Sequence, residues 1–128
     1  MQKKETIKFH CELVKDLLEF ISKNAWNQQL SAQRMCYMSG YSVAYMHRIF
    51  RRTTGRSLSE TIREKHFEHV KIALASSDKT ITQIAMEHCY PTLCEFTRRF
   101  TKYCGMSPSE YRNQHNLNLI PVRKILAD

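Results

Sequence analysis

Arginine is the residue type best placed to do chemistry in this chain, and it is concentrated in two stretches. Arg48, Arg51, Arg52, Arg56 and Arg63 crowd the first, and Arg98 and Arg99, with Lys102, form the second. A guanidinium stays charged and presents a planar fork of donors that suits phosphate oxygens and other paired acceptors. Over the whole chain 20 Lys and Arg face 12 Asp and Glu, a formal net charge of +8. Clustered positive charge points toward a polyanion, although solvated surface lysines would raise the charge as well.

Other reactive groups form weaker patterns. His66 and His69 stand three apart, close enough for two imidazoles to share a metal, yet no Cys or acidic residue is placed by motif to complete a tetrahedral site. His88, Cys89 and Cys94 are near one another in sequence; a thiol sensor is one reading, and ordinary structural residues at a turn and on a helix are the preferred one. The five cysteines, Cys11, Cys36, Cys89, Cys94 and Cys104, are odd in number and irregularly spaced, which argues for reduced thiols. No glycine-rich phosphate loop, nucleophile elbow or paired-carboxylate motif occurs, so no enzymatic activity, cofactor or metal is expected. The segment Met1 to Phe9 is charged, and no later run approaches the roughly 18 apolar residues of a membrane span. A soluble, cytoplasmic protein is the expectation.

The elements that must position these residues are helices. Only Gly40, Gly55, Gly105, Pro91, Pro108 and Pro121 punctuate a chain whose apolar residues recur at three-and-four spacing, which makes it all-α. A first helix is expected from about His10 to Asn24, with Leu13, Leu17, Phe20 and Ile21 on one face and Trp26 and Leu30 packing its exit. Ser31 caps a short helix from about Ala32 to Met38 that stops at Gly40; Ser42 caps Val43 to Thr54, ended by Gly55. Ser57 opens a long helix over 58–75 with Leu58, Ile62, Val70 and Leu74 as its buried stripe. Thr80 opens Ile81 to His88, a break at Cys89 to Pro91 follows, and Leu93 to Tyr103 ends at Gly105. Ser107, Pro108, Ser109 and Glu110 read as a capping box opening a last helix. Met46, Ile49, Phe50, Phe96, Phe100 and Tyr103 are the expected core around the two arginine-rich helices.

The second half repeats the first. A shift of 50 places Arg48 on Arg98, Phe50 on Phe100, Gly55 on Gly105, Ser57 on Ser107, Ser59 on Ser109 and Glu60 on Glu110, six identities in 19 pairs where chance gives roughly one. Upstream of the turn the shift is 49, pairing Met35 with Ile84, Gly40 with Cys89 and Tyr41 with Tyr90, and Pro91 is the extra residue. Each copy is a short helix, a tight turn and a second helix with a hydroxyl residue at its start, the layout of a helix-turn-helix. In such a unit the first helix braces across the phosphate backbone and the N-terminal side chains of the second reach base edges in the major groove. Two copies in one chain would read two adjacent groove segments without a dimer partner.

These residues resemble a known family. Ser39-Gly40-Tyr41-Ser42, the helix end from Arg48 to Gly55, and the run Phe96-Thr97-Arg98-Arg99-Phe100 followed by Gly105-Met106-Ser107-Pro108-Ser109-Glu110-Tyr111-Arg112 look like the DNA-binding domain of AraC/XylS regulators. The likeness runs from about Leu13 to Arg112, and the short length is most similar to the stand-alone MarA/SoxS/Rob subgroup. It implies about seven helices, a DNA-binding domain over 10–113 with helix-turn-helix units at 31–52 and 80–103 around the linker helix, and a tail from 114 to 128. It also implies a transcription regulator, an activator that binds an asymmetric promoter site as a monomer and contacts RNA polymerase. With 128 residues there is no room for a separate sensor, so control by abundance is expected.

The resemblance also assigns the base-facing positions, Ala44, His47 and Arg48 in the first unit and Leu93, Cys94, Glu95, Thr97 and Arg98 in the second; Tyr45 is expected to add a base or phosphate contact. Ser42, Arg51, Arg52, Arg56, Thr92, Arg99 and Lys102 are the expected phosphate contacts. Arg48 suits a guanine edge, whereas Leu93 and Cys94 offer only apolar contact and Glu95 can accept from cytosine but is repelled by phosphates. Cys89 replaces a turn glycine, so the second turn is expected to differ and the second unit to contribute affinity more than sequence choice. The rival is a module of the same fold that binds RNA polymerase or another regulator with its DNA contact degraded; a non-specific nucleoid or RNA-binding protein is a further alternative.

Overall fold

Six of the described helices begin where a hydroxyl accepts one of the first unpaired amides, and four end where a residue turns left-handed. The computed structural model describes residues 2–116, and among them the regular elements are seven α-helices: α1 (Gln2–Asn24), α2 (Ala32–Ser39), α3 (Val43–Thr54), α4 (Leu58–Ser76), α5 (Ile81–Glu87), α6 (Leu93–Cys104) and α7 (Pro108–His115). Pro121, Arg123 and Lys124 of the expected tail lie outside the described residues. No helix among the described residues is long and apolar enough to cross a membrane.

Six side-chain oxygens accept an N3 amide. Ser31 takes Arg34, Ser42 takes Tyr45, Ser57 takes Glu60, Thr80 takes Gln83, Thr92 takes Glu95 and Ser107 takes Glu110. Each such cap contributes about 1 kcal/mol. Of the box expected at Ser107, the structure gives this hydroxyl half with Pro108 in the first turn. The reciprocal pair is formed at Thr80, where the Gln83 side chain also accepts from the Thr80 amide at 2.9 Å.

Three differences from expectation have simple causes. Helix α1 starts at Gln2, not near His10, because residues 2–9 contain good helix formers and no Gly or Pro to stop them. Its early apolar side chains, Ile7 and Phe9, are exposed, so burial periodicity gave no sign of the extra turns. At the exit of α1 it is Ala25, fully buried, that packs inward; Trp26 is 41% exposed. Tyr103 is 40% exposed and lies outside the core, its ring stacked on buried Phe67 at 4.5 Å.

The chain divides into two units, residues 1–66 and 67–128, with the boundary inside α4. In the first, Leu13, Val14, Leu17 and Ile21 of α1 meet Ala32 and Met35 of α2, Met46, Ile49 and Phe50 of α3, and Leu58 and Ile62 of α4. In the second, Phe67, Val70 and Leu74 of α4 meet Ile84 and Ala85 of α5, Tyr90, and Phe96 and Phe100 of α6. The aromatics of this second core pack edge-on, Tyr90 against Phe96 at 5.0 Å and Phe67 against Phe100 at 6.0 Å. Burial pushes the Tyr90 hydroxyl up to about 12.

The two turns share one conformation and differ in bonding. Gly40 has φ +82° and its amide bonds the Cys36 carbonyl at 3.0 Å, a single closing bond. Cys89 occupies the matching place at φ +66°, where the Tyr90 amide reaches the Ala85 carbonyl and the Cys89 amide the Met86 carbonyl, both at 3.0 Å. That pair of bonds is a Schellman motif, and Tyr90 and Ala85 are both buried in the same apolar cluster. A residue with a Cβ is strained in this region by about 1 kcal/mol. Cys89→Gly is therefore expected to raise stability by about 1 kcal/mol in urea unfolding, and Gly40→Ala to lower it by a similar amount. No atom lies within 4 Å of a Cβ built at Gly40, so that loss is a backbone effect alone.

Candidate nucleic-acid interface

Helix α3 is apolar on one face and open on the other. Met46, Ile49 and Phe50 are buried, while Ala44 and Arg48 are exposed and His47 is half-buried. The three occupy successive places on one face at helical spacing. Ser42 uses an oxygen lone pair to cap the Tyr45 amide at 3.1 Å, so its O–H remains a donor at the helix entrance. The expected contact residue Tyr45 is half-buried and engaged: its ring stacks on Tyr41 at 5.6 Å, meets His10 edge-on at 6.4 Å and lies 5.5 Å beneath the Arg48 guanidinium. It supports Arg48 as a platform, and among the described residues no carboxylate pairs with Arg48. Arg51 and Arg52 are exposed in the last turn, where they also complement the helix dipole.

Helix α6 has the same division, with Phe96 and Phe100 buried and Leu93, Cys94, Arg98, Arg99 and Lys102 exposed. Glu95 and Thr97 are half-buried. Thr92 caps the Glu95 amide at 3.1 Å. The Glu95 carboxylate accepts from Arg98 at 2.5 Å and lies 3.7 Å from the Arg99 guanidinium. The bond from Arg98 holds this carboxyl below its ordinary value and raises Arg98 in turn. Arg98 is thus positioned beside a carboxylate, where Arg48 is positioned beside a ring.

The remaining candidates separate by their partners. Arg56 is exposed and ion-paired with Glu64, whose carboxyl is held low by that bond, so its cation is already matched. The structure gives three of the histidines backbone partners: His66 Nδ1 bonds the Ala25 carbonyl and His88 Nδ1 the Ile84 carbonyl, each at 2.7 Å and each buried, and exposed His115 Nδ1 bonds the Tyr111 carbonyl at 3.0 Å. Among the described residues no group of three His, Cys, Asp or Glu is placed to hold a metal. The sequence reading missed the partners of both arginines and the Tyr41 stack. The signal lay in the helical spacing of three for Tyr45–Arg48 and Glu95–Arg98, whereas Tyr41 precedes α3 and its stack follows no such spacing.

Residues 35–114 match a helix-turn-helix domain family model. The Transposon Tn10 TetD protein of Escherichia coli is 33% identical over 104 residues, covering 81% of this chain and 75% of that one. Regulatory protein SoxS of Escherichia coli strain K12 is 30% identical over 105 residues, covering 82% and 97%. The chain belongs to the AraC/XylS family. Within it the SoxS match puts this regulator in the MarA/SoxS/Rob subgroup, whose members are DNA-binding transcription regulators and not enzymes. The AraC/XylS fold is matched by the C-terminal domain of AraT, a response regulator from Geobacillus stearothermophilus, with a TM-score of 0.73 at 23% identity over 84% of this chain and 89% of that one.

The pairing in α6 has a measurable sign in this AraC/XylS regulator. Glu95 has a folded-state value depressed from its ordinary 4.5. Whatever the pair adds to stability is complete above 4.5 and fades as pH falls through the lower folded-state midpoint. A carboxyl-detected NMR titration should find the Glu95 midpoint below 4.5 in the intact chain and moved upward in Arg98→Ala. An unmoved midpoint in that variant would show that the ion pair is not formed in solution.

Proposed function

We propose that this regulator is a transcriptional activator that binds a non-palindromic duplex site as a monomer, through the helix-turn-helix units at 31–52 and 80–103, and contacts RNA polymerase from that site. The observation that carries the reading is the pair of capped helices in one chain, each with a buried aromatic face and an exposed, arginine-bearing N-terminal half. Monomeric binding rests on the duplication, because two readers in one chain remove the need for a two-fold partner. Polymerase contact rests on the family resemblance.

In this reading Ala44, His47 and Arg48 of α3, and Leu93, Cys94, Glu95, Thr97 and Arg98 of α6, face base edges. Tyr45 acts through Arg48. Ser42, Thr92, Arg51, Arg52, Arg99 and Lys102 take phosphates, and Arg56 joins them by exchanging Glu64 for a phosphate oxygen. Arg48 is the strongest direct reader, since a guanidinium can bond guanine O6 and N7 together. The competing reading, a polymerase-binding module with degraded DNA contact, draws on the Glu95 carboxylate in the second unit, but leaves the free Arg48 without a purpose.

Site selection from a random duplex library followed by binding to the selected site tests this. Arg48→Ala should weaken binding by about 1–3 kcal/mol and relax one base position. Binding should also fall with salt, by roughly 0.9 in logarithmic slope for each phosphate neutralised. Unchanged affinity and sequence preference in Arg48→Ala, or no enriched site together with polymerase binding, would transfer support to the competing module.

A further inference from the structure

Tyr45 and Glu95 occupy the same place in the two copies of the repeat. Each is the third residue of its helix, each has its amide capped by the preceding hydroxyl, and each lies three residues before an arginine that it holds. The shared geometry makes their chemical difference informative. Tyr45 offers a neutral π face, in ring contact with Tyr41 and His10, so it orients Arg48 without cancelling its charge. Glu95 offers a carboxylate whose two oxygens lie against Arg98 and Arg99, and a carboxylate has about four lone-pair positions, so acceptor capacity remains on the exposed side.

Glu95 is also three residues after the cap Thr92, the position of a capping-box glutamate. Its carboxylate bonds the arginines on the candidate reading face, which places an acceptor and a donor side by side where base edges would lie. In the major groove cytosine presents an amino donor and guanine two acceptors, whereas thymine presents a carbonyl oxygen that a carboxylate repels.

We propose that the residue three before each reading arginine determines what that arginine reads: Tyr45 holds Arg48 for a guanine edge alone, and Glu95 forms with Arg98 an acceptor–donor pair that requires a cytosine amino group beside guanine O6 and N7. Tyr45 is a positioning residue and Glu95 a specificity-determining one; the assignment rests on the reading of α3 and α6 as the DNA-contacting helices. Glu95 filters sites: where its donor is missing it adds negative charge beside the phosphates and cancels Arg98, and where the donor is present it releases Arg98 to guanine.

The test is site selection from a random duplex library by the full chain and by its Glu95→Gln and Tyr45→Leu variants, with melting curves confirming that each is folded. The wild type should fix a C·G pair in the segment read by α6. In Glu95→Gln that position should move to adenine, the base matched by a glutamine amide, and non-specific binding at low salt should strengthen because a negative charge has left the face. Tyr45→Leu should lose about tenfold discrimination at the guanine read by Arg48 with an unchanged salt slope. Identical preferences for wild type and Glu95→Gln at every position, or an unspecified second segment in both, would overturn the role of Glu95. An intact guanine preference in Tyr45→Leu would overturn that of Tyr45. No enriched site for the wild type would instead overturn the functional reading on which both depend.

Discussion

A helix can offer its first turns to a partner only if the chain enters it sharply, and here one left-handed residue per unit sets that entry. Gly40 and Cys89 reverse the path after α2 and α5, and the caps Ser42 and Thr92 start the next helices two and three residues later. With so short a connection, the direction of α3 and α6 follows from the turn and from the aromatic side chains they bury, Phe50 in one unit and Phe96 and Phe100 in the other. The exposure of the arginines is a by-product of that burial, since a helix with one face fixed has no freedom over the other. Cys89 shows the strength of the constraint: the turn keeps its left-handed residue even where a Cβ makes it costly, and adds a second closing bond.

Polar side chains inside the two units serve backbone groups that helix ends leave open. His66 takes up the Ala25 carbonyl at the exit of α1, and Arg112 reaches the Leu74 carbonyl at 3.0 Å and the Ser77 carbonyl at 3.4 Å at the end of α4. Among the described residues no buried side-chain nitrogen or oxygen lacks a partner. A His or Arg that closes a helix terminus from 35 to 41 residues away fixes tertiary position as well as satisfying an acceptor. His66 and Arg112 are residue types that look reactive in a sequence, and in the fold they bond backbone carbonyls.

What the sequence made legible was set by local rules. Helix starts at Ser31, Ser42, Ser57, Thr80, Thr92 and Ser107 follow from hydroxyl residues ahead of periodic apolar runs, and the stops at Gly40, Gly55 and Gly105 from the missing Cβ. The α1 extension was hidden because Ile7 and Phe9 are exposed and leave no burial period. Trp26 was misleading because size alone favoured burying it, whereas the inward-facing residue at the α1 exit is Ala25. The candidate faces of α3 and α6 were legible as positions, through the repeat and the family likeness. What held each arginine was less so, since an i to i+3 pairing is one of several open to a surface side chain.

The duplication explains how the two readers can differ without cost to the fold. Positions that build each unit match between copies in role: Met46 and Phe96, Phe50 and Phe100, Ser42 and Thr92. The exposed arginine is kept at 48 and 98, while the chemistry beside it at 45 and 95 changes from ring to carboxylate. Helix α3 carries three arginines and no acid, while α6 carries Arg98, Arg99 and Lys102 with Glu95 among them. In the proposed reading, the first unit is attracted to any duplex and selects by the edge that Arg48 meets. On the same reading the second would be attracted less and would select by what it refuses, because its paired carboxylate would yield only where another donor replaces the arginine. Affinity and discrimination are separable in such an arrangement, since one comes from uncancelled charge and the other from a group that penalises mismatched sites.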